Sequence, residues 1–136
     1  MRRFGEGVGD MRRVSEMMVS DVVTIDSSAS VADAAKQMIQ EEKGALPIVE
    51  GGQLHGMITG RDIVAHVVAE GHDNNSTTVH DIATHDLITV GPDQDVEEAH
   101  QLMDQHGFNG LLVVEEGRLV GLISGTDIRS DEGLLP

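Results

Sequence analysis

Apolar and polar positions along this chain follow two periods, and the same order of periods occurs twice. Val22-Val-Thr-Ile is a short β-branched run that predicts a strand at Val22–Ile25. Ahead of it Ser15 can cap a short helix over 16–19. After Asp26-Ser-Ser-Ala-Ser, the apolar residues Val31, Ala34, Ala35, Met38 and Ile39 recur at helical spacing, with Ser30 placed to cap the first turn. That amphipathic helix should end at Gly44. Ala45–Glu50 and Leu54–Thr59 read as two strands about a Gly51-Gly52 turn, and a second helix is expected from Gly60 to Ala69.

Sliding the chain along itself until Val22 meets Leu87 lays the second half on the first without a gap. Val22-Val-Thr-Ile falls on Leu87-Ile-Thr-Val, Val31 on Val96, Ala34 on Ala99, Met38 on Met103, and Leu46-Pro-Ile-Val-Glu on Leu111-Leu-Val-Val-Glu. The register predicts strands near 87–90, 110–115 and 119–123 and helices near 95–106 and 125–129. The expected fold is therefore mixed α/β (α+β), with two tandem β-α-β-β-α repeats at 14–70 and 77–130. A polar linker, 71–76, joins them, between a flexible segment 1–13 and a tail 131–136. A unit this small cannot cover both faces of its sheet alone, so the copies should pack about a pseudo-twofold axis.

Composition narrows what such a pair can do. The 136 residues include no cysteine, which removes disulfides, thiolate zinc sites and cysteine nucleophiles. Apolar stretches are too short for a membrane span and the start has no signal-peptide pattern, so a cytoplasmic location is expected. The formal charge of −15 repels nucleic acid and anionic membranes, and Phe4 and Phe108 are too few aromatics for a single-strand platform. Of 24 Asp and Glu only Glu6 and Asp10 precede Val14, so 22 acidic residues face five basic ones in the body: Lys36, Lys43, Arg61, Arg118 and Arg129. That balance also suits a salt-rich cytoplasm, where self-repulsion is screened.

The strongest chemical signal is a strand-to-helix junction in each half, Gly56-Met-Ile-Thr-Gly-Arg-Asp and Gly121-Leu-Ile-Ser-Gly-Thr-Asp. Free backbone N–H groups and the positive end of a helix should converge there on an anion. Thr59 and Ser124 can donate to phosphate, Gly60 and Gly125 allow close approach, and Asp62 and Asp127 can accept from ribose hydroxyls. The plainer alternative is that the hydroxyls cap helices and the carboxylates complement helix dipoles.

These junctions resemble the Gly-apolar-apolar-Thr/Ser-x-x-Asp signature of cystathionine β-synthase (CBS) domains, and the likeness covers about 14–130. Two tandem copies are similar to a CBS pair, or Bateman module, of the stand-alone hypoxic-response type. The resemblance implies a regulatory, non-catalytic, homodimeric module that binds AMP, ADP, ATP or S-adenosylmethionine in clefts between its repeats and signals to an effector protein. By position it implies Asp62 and Asp127 at ribose, with Thr59, Arg61, Ser124 and Arg129 at phosphate. Adenine would lie against Val23, Thr24, Ala45, Leu46, Ile88, Thr89, Gly110 and Leu111. No resident cofactor is implied, and the nucleotide is a regulatory ligand with or without a divalent metal. Thr126 stands where the first copy has Arg61, so the first cleft should bind more tightly.

Two other functions stay open at this point. One is a ligand-free dimeric adaptor or stress protein with vestigial clefts. The other is a metal-linked regulator built on the seven histidines, His55, His66, His72, His80, His85, His100 and His106. No two of these stand four apart on one helix face, so a solvated role is expected and no metal site is assigned. A hydrolase is disfavoured, because Ser124 has no paired base and no Gly-x-Ser-x-Gly elbow is present. The segment from Met11 to Met18 is expected to be a packing or dimer-contact helix.

Overall fold

The structure is a computed structural model and describes residues 11–125. The expected helix beyond Gly125, Asp127, Arg129, the tail and most of segment 1–13 lie outside these residues. The described residues form two compact units: Val23–Leu87, and residues 11–22 together with 88–125.

In the Val23–Leu87 unit, β1 (Ile25–Asp26) runs parallel to β2 (Ala45–Glu50), and β2 pairs antiparallel with β3 (Gln53–Thr59). Gly51 and Gly52, at φ of 61° and 84°, make the two-residue connection that a tight hairpin demands. Helix α2 (Val31–Glu41) buries Val31, Ala34 and Met38, and the last two join a core of Ile25, Leu46, Ile48 and Ile58. The expected cap is present, with Ser30 accepting from the Asp33 N–H at 3.1 Å. Ser30→Ala should cost about 1 kcal/mol in chemical denaturation.

The other unit has the same construction from β4 (Thr89–Val90), α5 (Val96–His106), β5 (Gly110–Glu115) and β6 (Arg118–Ser124). Its core gathers Val90, Val96, Ala99, Met103, Leu111, Val113 and Ile123. Helix α5 and strands β5 and β6 occupy the places of α2, β2 and β3 in the register that lays Val22 on Leu87, and β2 and β5 share one burial pattern.

Four local expectations are corrected. The first helix, α1, spans Val14–Met17, and the Arg13 N–H donates to Glu16 Oε1 at 2.6 Å, so Ser15 lies inside the helix and caps nothing. Of the expected strand Val22–Ile25 only Ile25 pairs, together with Asp26 beyond it; Thr24 gives its carbonyl to Gln37 Nε2 at 3.0 Å instead of to a ladder. Helix α2 ends at Glu41 because Glu42, not Gly44, takes the left-handed conformation at φ 56°. The helix from Gly60 is α-helical only over α3 (Gly60–Ile63) and continues as a π-helical turn, Val64–Val68, closed by the Ala69 N–H on the Val64 carbonyl at 2.9 Å.

The units do not coincide with the repeats. Helix α1 belongs to the first repeat, yet Val14 is fully buried in the core of the second repeat's unit, and its N–H donates to the Gln94 carbonyl at 2.8 Å. Reciprocally, α4 (Val79–Ile82) buries Val79 in the core of the Val23–Leu87 unit and donates from Val79 N–H to the Ala29 carbonyl at 2.9 Å. Each repeat thus lends its first helix to the other's unit.

Candidate functional site

Parallel β1 and β2 begin at the same end of their sheet, and antiparallel β3 finishes there. Val23, Thr24, Ala45 and Thr59 are therefore brought to one sheet end, with Ala45 directly opposite Thr59 in the β2–β3 register. Arg61 and Asp62 follow in the first turn of α3. Leu46 is fully buried and Leu111 nearly so, so their side chains belong to the cores and only their backbones could face a ligand. In the other unit Ile88, Thr89, Gly110 and Ser124 meet in the same way, with Gly110 opposite Ser124.

The corner at Thr59 is held by reciprocal hydrogen bonds. The Thr59 N–H donates to Asp62 Oδ2 at 2.9 Å, and the Asp62 N–H donates to Thr59 Oγ1 at 3.0 Å. The Gly60 N–H donates to the Gly44 carbonyl at 3.0 Å, and at the matching place in the second repeat the Gly125 N–H donates to the Asn109 carbonyl at 2.9 Å. The expected convergence of free N–H groups on an anion is thus corrected. Three of them are already used in holding the turn, because an exposed helix start satisfies its donors internally when side chains of the right length stand three apart.

What remains for a ligand lies on the side chains. The Thr59 hydroxyl accepts one bond and keeps its own proton to donate. Asp62 has a second carboxylate oxygen with open acceptor positions. Arg61 is exposed and forms no ion pair with another described residue. A Cβ added at Gly60 would find nothing within 4 Å, so no protein neighbour demands glycine there. A hydroxyl donor, a carboxylate acceptor and a guanidinium on one turn suit a sugar joined to phosphate.

A family model described as the CBS domain matches residues 14–69 and 79–131. The chain belongs to the CBS domain family. The CBS domain-containing protein YhcV of Bacillus subtilis (strain 168) is 36% identical over 118 residues, spanning 87% of this chain and 84% of its own length. The solved structure of Hypoxic Response Protein I, with two coordinated zinc ions, matches at TM-score 0.80 and 31% identity over 89% of this chain and 99% of its own. A CBS domain pair in complex with 5′-methylthioadenosine and S-adenosyl-L-methionine matches at TM-score 0.73 and 30% identity, over 90% of this chain and 97% of its own.

Within this CBS pair the first glycine of each junction has a purpose that sequence reasoning missed. The segment after α4 crosses β3, where Met57 and Thr84 exchange backbone hydrogen bonds of 3.0 and 2.9 Å. A Cβ on Gly56 would lie 2.8 Å from the Thr84 carbonyl oxygen. In the other unit Val19 and Leu122 exchange two bonds of 2.8 Å, and a Cβ on Gly121 would meet Met18 Sδ at 2.5 Å. Gly56 and Gly121 admit the lent segments. Their recurrence at matching positions of the two repeats was the available signal.

Proposed function

We propose that this CBS pair is a non-catalytic regulatory module that binds an adenosyl ligand at the Thr59–Asp62 corner and passes its ligand state to an effector protein. The observation that carries this reading is the corner itself: Thr59, Arg61 and Asp62 on one turn, beside Ala45, Val23 and Thr24, with open space over Gly60. The adenosyl compounds held by a similar pair support the ligand class. Asp62 would take ribose hydroxyls through its unused oxygen, Thr59 and Arg61 would take phosphate or the carboxylate of the methionine part, and backbone at Ala45–Leu46 and Val23–Thr24 would face adenine. The equivalent corner at Ser124, with Ile88, Thr89, Gly110 and Leu111, would be completed by Asp127 and Arg129. Binding would act by population shift, favouring whichever packing of the module holds the ligand better. The exposed Ile39, Val64 and Val68 support a homodimer that covers them.

With no Trp or Tyr the chain is nearly transparent near 280 nm, so bound adenine should be visible in freshly purified protein. Calorimetric titration with AMP, ATP and S-adenosylmethionine, with and without a divalent cation, should give saturable heat for at least one of them. Flat titrations together with a clean spectrum would favour the ligand-free adaptor.

A further inference from the structure

Away from the proposed adenosyl corner, the far end of the helix that starts at Gly60 borders a recess of about 500 Å³, lined in part by His66, Glu70, His72, Thr77 and Asp81. It shares no residue with that corner. His66 Nδ1 lies 3.5 Å from Glu70 Oε2, an ordinary pairing one turn apart on a helix surface. His72 comes from beyond the helix end, and its placement is built by the backbone. Gly71 takes φ 74°, open only to glycine at low cost, and the His72 N–H then donates to the Val67 carbonyl at 3.0 Å. The chain is thereby folded back so that His72 Nε2 lies 3.3 Å from Glu70 Oε1.

Two imidazoles turned on one carboxylate are a donor set for a borderline transition-metal ion. Ligand atoms bound to a tetrahedral ion at about 2.0–2.1 Å lie roughly 3.3–3.4 Å apart, close to both spacings here. The described side chains do not yet gather three donors about one point, and His66, Glu70 and His72 are each about half exposed, so they are free to rotate inward. The acidic body raises the local concentration of cations, and Asp81 lies across the same recess. We propose that His66, Glu70 and His72, with Asp81 as a fourth donor, form a site for a divalent ion of the zinc type. The ion would lie between the imidazole nitrogens and the Glu70 carboxylate.

The test uses the full chain without an affinity tag, stripped with chelator, and titrated with Zn²⁺ by calorimetry and with Co²⁺ by visible absorption. One equivalent should bind, with the intense visible bands of tetrahedral cobalt. Glu70→Gln and the double variant His66→Asn/His72→Asn should each weaken binding at least tenfold, whereas His85→Asn and His100→Asn should leave it unchanged. Circular dichroism should show all variants folded. Absence of binding by the native chain, or retention of affinity in the double variant, would overturn the assignment. Asp62→Asn should not alter metal affinity, so the outcome is independent of the adenosyl reading.

Discussion

Asp62→Ala is expected to weaken binding of an adenosyl nucleotide by at least about tenfold, the loss of one or two hydrogen bonds to a charged acceptor. The structure makes the interpretation of that variant more demanding, because Asp62 also holds the Thr59 N–H at 2.9 Å. Alanine therefore removes a ligand contact and half of the reciprocal cap together, and the second loss costs about 0.5–2 kcal/mol of stability. Asp62→Asn separates them: its side-chain carbonyl can still accept from Thr59, while the charge is gone. Weak binding with a near-native melting temperature in the asparagine variant would assign the carboxylate to ribose. Native affinity in both variants, read by calorimetry, would remove Asp62 from the site and leave it as a cap alone.

How far the site could be read beforehand follows from what periodicity encodes. The α2 and α5 helices and the β2, β3, β5 and β6 strands were legible because each buries one face, and burial writes a period into the sequence. Val23, Thr24 and Ala45, and Gly110 in the other copy, were named beforehand only through the resemblance to CBS domains, and the strand pairing sets Ala45 opposite Thr59 and Gly110 opposite Ser124. What escaped was set by tertiary partners. Val22–Thr24 has the residues of a strand, but Gln37 takes the Thr24 carbonyl. The turn Val64–Val68 buries only Val67, and so short a run fits an α-period as well as a π-period.

The lending of α1 and α4 was illegible for a related reason. A buried Val14 or Val79 marks a face that must be covered without saying which sheet covers it. At the corner itself, the residue types named the groups present but not how their donors are used. Thr59 and Asp62 were read as ligand groups or as caps, and the hydrogen bonds show that they are caps which retain a hydroxyl proton and a carboxylate oxygen to spend. A cap and a ligand contact are compatible, because each side chain has more bonding positions than the cap consumes.

The same distinction predicts opposite outcomes for the two glycines of one junction. Gly56→Ala should destabilise the chain by about 1–3 kcal/mol, since the new Cβ would sit 2.8 Å from the Thr84 carbonyl oxygen and 3.3 Å from His85 Nδ1. Backbone oxygen cannot rotate away, so the strand or the lent segment must shift and strain the paired bonds of Met57 and Thr84. Gly60→Ala meets nothing within 4 Å and starts a helix, so stability should hold or rise by up to about 1 kcal/mol. If a ligand closes over that turn, the Gly60 variant should instead lose affinity while folding normally. Urea denaturation and calorimetry on both variants read the two effects separately. A stable Gly56→Ala protein would refute the close passage of the 83–85 segment over β3. A Gly60→Ala protein that binds as tightly as the native chain would move the ligand away from the α3 turn.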